Sequence, residues 1–188
     1  ALESIAPNED SDPLPGKYLF YRCSGPVAER IALPEQYSWL VWRPSAGHPW
    51  PRPAHGVKTR GKFLFRSAIH FLGLFLGDEC GALLILQGNH LAHYSQFSPR
   101  YWRFPGMQED DLQIGDTWTD PAHRGRGLAS FALERIITAT YKPGRNFWYV
   151  VGAANAPSIR VVERPGFVLL GQGSWIRPLG IKLLGSYV

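Results

Sequence analysis

The sequence predicts an α/β domain with a mixed, mostly antiparallel central sheet and flanking helices. Three segments carry this prediction: an alternating strand at residues 112–119, an amphipathic helix that begins near Gly127, and an aromatic, β-branched strand at residues 146–151. Together they form a strand, a glycine turn, a helix and a second strand, which is a βαβ crossover, so the two strands are expected to lie parallel.

The composition agrees with one folded domain. The 188 residues are 45% hydrophobic and 13% aromatic, which is ample for a single core. Residues 1–16 are rich in proline and polar residues and are expected to form a flexible arm without signal-peptide character, which leaves residues 17–188 as the domain. Cys23 and Cys80 are far apart and indicate no disulfide framework, so a cytoplasmic setting is expected.

The amino-terminal half contains the least regular patterns. Residues 18–22 and 37–43 are predicted strands because they are aromatic and β-branched. The proline-rich residues 48–61 predict a loop, which either lines an acceptor pocket or lies on the surface. Residues 63–76 are apolar but too short to span a bilayer, and they predict a buried helix or a helix followed by a strand.

A hairpin is predicted next, with strands at residues 81–86 and 90–97 around the turn-forming residues 87–89. Strict alternation would place every second side chain of the later strand on one face. One face would then carry His90, Ala92 and Tyr94, and the other Leu91, His93 and Ser95. We expect one of these faces to point towards a substrate.

The central unit has the clearest periodicity. In residues 112–119, alternation places Leu112, Ile114, Asp116 and Trp118 on one face. In the following helix, apolar residues recur with the spacing of one helical stripe: Ala129, Ala132, Leu133, Ile136 and Ile137.

The segment beyond residue 167 predicts further strands. Residues 168–170 and 174–177 predict a hairpin, and residues 182–188 predict an edge strand or tail.

Residues 124–129 have the properties of an anion-binding loop. Gly125 and Gly127 permit backbone conformations and a close ligand approach that other residues hinder. The helix that follows offers unpaired N–H groups and the positive end of its dipole. Arg124 and Arg126 add cationic groups suited to phosphate oxygens. The loop therefore predicts a phosphorylated ligand.

Two motifs resemble those of the GCN5-related N-acetyltransferase (GNAT) superfamily. The first is Arg124-x-x-Gly127-x-Ala129, and the second is Asn155-x-x-Ser158 followed by Gly166-Phe167. The resemblance covers residues 80–170, approximately, and rests on the order and spacing of both motifs. It implies a GNAT-like sheet in which the two parallel strands splay apart.

The same resemblance implies the binding residues for acetyl-coenzyme A or another acyl-coenzyme A. The pyrophosphate would be held by backbone N–H groups of the loop: Arg124, Gly125, Arg126, Gly127, Leu128 and Ala129. The pantetheine arm would pair with the strand that ends at Trp118 and Thr119. Asn155 and Ser158 would lie beside the cofactor arm or the leaving thiol.

Amine acylation needs a neutral amine, so a general base is useful. The candidates are Asp111, Asp116 and His93; Asp111 matches, by resemblance, the place of a glutamate base in the histone-modifying branch. Many relatives carry a tyrosine as general acid where this chain has Val162, so Ser158, another tyrosine or water would take that part. Direct transfer requires no covalent intermediate, and no metal is expected.

The predicted function is acyl-coenzyme A-dependent N-acyl transfer, foremost acetyl transfer, to a small amine such as an amino sugar or a nucleotide-linked amino sugar. Alternatives are an aminoacyl-tRNA-dependent transferase of the same fold and a non-catalytic coenzyme A or RNA sensor. The net charge of +5 is dispersed along the chain, which disfavours nucleic acid as the partner. A homodimer is compatible with these patterns.

Overall fold

The computed structural model describes residues 17–52, 57–77, 79–177 and 185–188, without the side chains of residues 57 and 58. The predicted arm at residues 1–16 lies outside the described residues. So do residues 53–56 of the predicted loop and residues 182–184 of the predicted tail.

Among the residues described, eight strands form the sheet, in the order β2-β3-β4-β5-β6-β1-β7-β8. The strands are β1 (Lys17–Cys23), β2 (Ser38–Trp42), β3 (Gly81–Gln87), β4 (His90–Pro99), β5 (Leu112–Thr119), β6 (Phe147–Gly152), β7 (Val168–Ile176) and β8 (Ser186–Tyr187). β5 and β6 are parallel, whereas the other neighbouring pairs are antiparallel. The predicted mixed, mostly antiparallel sheet is thereby confirmed.

In the described part of the chain, three α-helices flank the sheet: α1 (Val57–Phe71), α2 (Leu128–Thr140) and α3 (Ala156–Glu163). α2 packs its apolar stripe against Leu83 and Ile85 of β3, while Phe63 of α1 packs against Ala82 and Leu84. Because neighbouring residues of a strand point to opposite faces, α1 and α2 cover opposite faces of the sheet. Within the described ranges, no helix is long and apolar enough to cross a bilayer.

Two bulges break the alternation that the sequence predicts for the central strands. In β4, Ile85 pairs with His93 but Leu86 pairs with Leu91, so Ala92 is the extra residue. Ala92 therefore packs on the α2 face, whereas Leu91 packs with Tyr94 on the α1 face. The predicted grouping of His90, Ala92 and Tyr94 is wrong because a bulge shifts every later side chain by one position.

The predicted hairpin at residues 168–177 is also wrong, since β7 is one continuous strand paired with β1. The Gly171-Gln172-Gly173 triplet lies within this strand and forms no turn, and its Gly173 serves close packing. A Cβ atom at Gly173 would lie 2.5 Å from the Phe20 ring and 2.1 Å from the Val188 carbonyl oxygen. The predicted apolar segment at residues 63–76 forms the end of α1 followed by a turn, with no strand among its residues.

The buried carboxylate of Asp111 ties the start of β5 to the start of β6. Its Oδ1 accepts hydrogen bonds from the backbone N–H and the side-chain amide of Asn146, both at 3.0 Å. Its Oδ2 accepts from the Gln108 N–H at 2.9 Å and from the Trp148 indole at 2.7 Å. Four donors therefore hold one carboxylate where the two parallel strands begin.

We expect Asp111→Asn to destabilise the fold by about 2–3 kcal/mol, because an amide NH₂ would face N–H donors that now meet a charged acceptor. Urea denaturation measures this change. Asp110→Asn is the matched control, since the Asp110 side chain is exposed. Equal stability of the two variants would contradict the role given to Asp111.

Candidate active site

The parallel strands separate after three paired positions. Leu112, Gln113 and Ile114 of β5 pair with Phe147, Trp148 and Tyr149 of β6. Beyond them, β5 continues beside β4 and β6 continues beside β1. We call the region between Gly115–Thr119 and Val150–Gly152 the open end of the sheet. There, the facing strand edges do not pair with each other.

A bulge in β5 lies where the separation begins. Gln96 of β4 pairs with Gly115 and Tyr94 pairs with Trp118, so Asp116 and Thr117 together oppose Ser95. Asp116 has φ 50°, which makes it the one non-glycine residue with positive φ in the described part of the chain. Such a backbone costs about 1–3 kcal/mol and is often found at functional sites. The bulge bends β5 away from β6.

The glycine loop lies directly beyond the open end. Asp120 caps a short 3-10 helix, Pro121–His123, by accepting the Ala122 N–H through its side chain at 2.9 Å. Gly125 and Gly127 then have φ 74° and 78°, in the left-handed region predicted for them. Gly127 is the N-cap of α2, and no side chain caps this helix. The first N–H groups of α2 therefore lack the usual side-chain acceptor.

The two loop arginines are exposed and fold back onto the loop. Arg124 Nε donates to the Thr119 carbonyl at 3.2 Å, and Arg126 donates to the Ala122 carbonyl at 3.4 Å. Both cations thus belong to the short segment that precedes the uncapped start of α2. Positive side chains next to a helix N-terminus in the chain form an environment suited to a phosphate anion.

Asn155 and Ser158 lie at the start of α3, just after β6 ends. The Asn155 side chain caps α3 by accepting the Ser158 N–H at 3.2 Å. The connection from Gly152 to α3 is short, so this helix also begins at the open end of the sheet. Both motifs found in the sequence therefore follow the two strands that separate.

His93 belongs to a row of polar side chains on the α2 face of the open end. Its Nδ1 lies 2.7 Å from Thr119 Oγ1 and its Nε2 lies 3.0 Å from Ser95 Oγ. Ser95 Oγ is in turn 3.0 Å from Thr117 Oγ1. His93 is completely buried, and desolvation lowers its pKa to about 3. The imidazole is therefore neutral at physiological pH and both its nitrogens are occupied.

Asp116 lies on the opposite face, towards α1. Its carboxylate is 3.7 Å from Lys62 Nζ and 3.5 Å from an Arg66 guanidinium nitrogen, with 37% of the side chain exposed. Arg66 is buried and also donates to Ser98 Oγ at 2.7 Å. Of the three candidate bases, Asp116 is the one that combines solvent access with a position at the open end.

Asp111 and Val162 are not brought to the open end. Asp111 lies at the closed start of β5, where four donors occupy its carboxylate. Val162 is completely buried in the core beside α2. The structure thus groups Asp116, His93 and the two helix starts, while Asp111 stands apart from them.

Gln96 and Gln113 are candidate site residues that the sequence interpretation missed. Both are buried beside Gly115, and neither Gln96 amide atom nor the Gln113 Oε1 has a hydrogen-bond partner. Gln113 Nε2 lies 2.2 Å from where a Gly115 Cβ would be, so any larger residue at 115 would require this amide to move. Buried, unpaired amides are costly unless a ligand or water meets them. The signal in the sequence is an amide in each of two adjacent core strands.

A family model described as the acetyltransferase (GNAT) family matches residues 35–167. The chain belongs to this family. The match includes the β5 bulge, the glycine loop and the start of α3. It confirms the resemblance drawn from the two sequence motifs. A search of curated protein sequences finds no match.

Solved structures of GNAT proteins have the same fold. A protein from Novosphingobium aromaticivorans described as a GNAT-family acetyltransferase is 18% identical, with 84% of this chain and 61% of that chain covered and a TM-score of 0.52. A GCN5-related N-acetyltransferase from Sphaerobacter thermophilus is 16% identical, with 84% and 50% covered and a TM-score of 0.58.

A tandem GNAT protein from the clavulanic acid biosynthesis pathway is 17% identical, with 84% of this chain and 51% of that chain covered and a TM-score of 0.59. The present chain thus spans between half and two thirds of the length of these three structures. At these identities, the likeness establishes the fold.

We expect Gly127→Leu to weaken coenzyme A binding at least about tenfold, or 1.4 kcal/mol, because its side chain would occupy the space in front of the α2 N-terminus. Isothermal titration calorimetry measures the change. Gly144→Leu is the control, since Gly144 has a similar φ of 84° in an exposed turn after α2 and should incur similar strain. Equal losses in both variants would attribute the effect to strain alone.

We expect His93 to make stability depend on pH. Its pKa is about 3 in the folded protein, well below its ordinary value of 6.5, so the unfolded chain binds the extra proton between these values. The free energy of unfolding should therefore fall as the pH drops below about 6.5. In His93→Asn the free energy of unfolding, measured by urea titration at several pH values, should fall less steeply with decreasing pH. The same pH dependence in both proteins would refute the lowered pKa of His93.

Proposed function

We propose that the protein transfers an acyl group, foremost acetyl, from acyl-coenzyme A to the amine of a small molecule. The observation that carries this proposal is the meeting of two features at one place. The open end of β5 and β6 exposes unpaired strand edges, and β5 leads directly into the loop with Gly125, Gly127 and the uncapped α2. Membership of the GNAT family supports the same function.

Coenzyme A fits these residues in two parts. The backbone N–H groups of residues 124–129, with the Arg124 and Arg126 side chains, would hold the pyrophosphate. The pantetheine arm is an extended chain with amide groups, so it would extend the sheet along Trp118 and Thr119, as an added strand does. Bound there, acyl-coenzyme A supplies an activated acyl group as a thioester.

Asp116 is our proposed proton acceptor, directly or through water. A carboxylate at the open end, partly exposed and held by Lys62 and Arg66, can meet both an entering amine and solvent. His93 is less suited, because a pKa of about 3 makes its imidazole a weak base and two hydroxyl groups occupy its nitrogens. We assign it to positioning Thr119, and Asp111 to holding the strands.

Ser158 is our proposed donor to the departing thiol. It is half-buried in the first turn of α3, and its backbone N–H is already used by Asn155. A thiol with an ordinary pKa of about 8.5 is a fairly good leaving group, so little assistance is needed. Loss of the Ser158 hydroxyl should therefore cost less activity than loss of the Asp116 carboxylate.

We propose that the acceptor binds on the α1 face. The unpaired amide of Gln96 and the unpaired Oε1 of Gln113, together with Arg66 and Asp116, would offer hydrogen-bond donors and acceptors that match a hydroxyl-rich amine. An amino sugar is therefore the first acceptor to test. The net charge of +5 also favours an anionic form such as a nucleotide-linked amino sugar.

The proposal is tested by binding and by turnover. Calorimetry should show binding of acetyl-coenzyme A and of free coenzyme A, and thiol release should rise with at least one amine of a panel that begins with amino sugars. Absence of coenzyme A binding at millimolar ligand would overturn the proposal. Binding without thiol release would favour a sensor, and salt-dependent tRNA binding would favour an aminoacyl-tRNA-dependent transferase.

With an active acceptor in hand, Asp116→Asn should lower kcat by about 100-fold or more, because removal of a general base typically costs this much. Coenzyme A affinity should stay unchanged. Asparagine tolerates positive φ as aspartate does, so the bulge should persist. Unaltered kcat in this variant, with Asp110→Asn as the control for surface charge, would remove Asp116 from the mechanism.

A further inference from the structure

Three side chains that the proposed reaction does not use meet beside the glycine loop. His90 is the first residue of β4, Asp120 follows β5, and His123 ends the 3-10 helix. One ligand-capable atom from each lies within 4.8 Å of the other two. His90 Nε2 is 3.0 Å from Asp120 Oδ2, and the two imidazole rings lie 5.4 Å apart between centroids.

Hydrogen bonds from neighbouring residues orient His123 and Asp120 in the way that metal ligands are oriented. The Tyr37 hydroxyl lies 2.9 Å from His123 Nδ1, which leaves Nε2 as the nitrogen available for coordination. Asp120 Oδ1 accepts the Ala122 N–H, which leaves Oδ2 towards His90. A hydrogen bond to the second ring nitrogen is the usual companion of a metal-bound histidine.

The burial pattern leaves one side of the group accessible. His123 is buried, with 8% exposed, whereas the His90 side chain is about half exposed at the start of its strand. The pair of His90 and Asp120 is a partly exposed contact, so an ion can replace it at small cost. Solvent can supply the remaining ligand from the exposed side.

We propose that His90, Asp120 and His123 bind one divalent transition-metal ion, with Zn²⁺ as the first choice. Two imidazoles and one carboxylate are a common zinc donor set, with water in the fourth position, whereas Mg²⁺ and Ca²⁺ prefer oxygen ligands alone. Bonds near 2.0–2.1 Å require ligand atoms roughly 3.3 Å apart in a tetrahedron. The three ligand atoms lie within 4.8 Å of one another, so small rotations of these side chains, foremost of the exposed His90, would complete this geometry.

The site would link the metal to the anion-binding loop. His123 is followed directly by Arg124, and Asp120 lies four residues before Arg124, so a bound ion fixes the start of the loop and adds positive charge near it. The metal should then tighten coenzyme A binding, and coenzyme A should tighten metal binding by the same factor. This linkage rests on the proposed function, whereas metal binding itself does not.

The test uses the full chain, free of affinity tags and stripped of metal, with Co²⁺ as the probe. Tetrahedral Co²⁺ should produce intense visible d–d absorption that saturates at one equivalent and disappears when Zn²⁺ is added. We expect His90→Ala, at an exposed position, to lower the Co²⁺ affinity at least about tenfold, since loss of even a supporting partner costs 10–100-fold. His123→Ala should lower it further.

His48→Ala and His70→Ala are the controls, because both histidines lie outside the group. They should leave Co²⁺ affinity unchanged. Tyr37→Phe should weaken binding without removing a ligand, which a site unrelated to His123 would not do. Absence of d–d absorption at millimolar Co²⁺, or equal affinity in the wild type and His90→Ala, would overturn the proposal whether or not coenzyme A binds.

Discussion

The candidate site depends on how β5 is held at its two ends. At its start, the Asp111 carboxylate accepts four hydrogen bonds and fixes β5 against the beginning of β6. Further along, the bulge at Asp116 turns the strand away after three paired positions. Because one end is fixed and the other diverges, strand edges that would otherwise pair become available to an extended ligand.

The remaining features of the site are arranged around this separation. β5, which diverges, leads into Gly125 and Gly127, and β6 leads into Asn155 and α3. Two helix starts therefore lie at the end of the sheet where the strand edges are free. The α2 face carries the buried row around His93, whereas the α1 face carries Asp116 and the unpaired glutamine amides. The two faces of the sheet at the open end therefore carry different sets of polar groups.

The sequence allowed the parallel pair and the left-handed glycines to be predicted, because hydrophobic periodicity and glycine placement are local signals. The faces of β4 and β5 could not be predicted. Extra residues at Ala92 and Asp116 leave no mark in the hydrophobic pattern, yet each moves the later side chains to the other face. The Gly171-Gln172-Gly173 triplet misled because Gly173 makes room for Phe20 and Val188 from distant segments, which no local pattern shows. Gln96 and Gln113 appear in the sequence only as an amide in each of two adjacent strands. Their missing hydrogen-bond partners are seen only in the structure. The assignments of Asp111, Asp116, His93 and Ser158 stay predictions.

Amide hydrogen exchange with and without coenzyme A shows whether the open end and the glycine loop bind the cofactor, because it reports on each strand edge and helix end separately. We expect slower exchange in two segments, residues 115–119 of β5 and residues 125–130 at the start of α2. Exchange in β2 and β7, which lie away from the open end, should stay unchanged. Protection that is absent from both segments, or confined to another part of the sheet, would contradict the account.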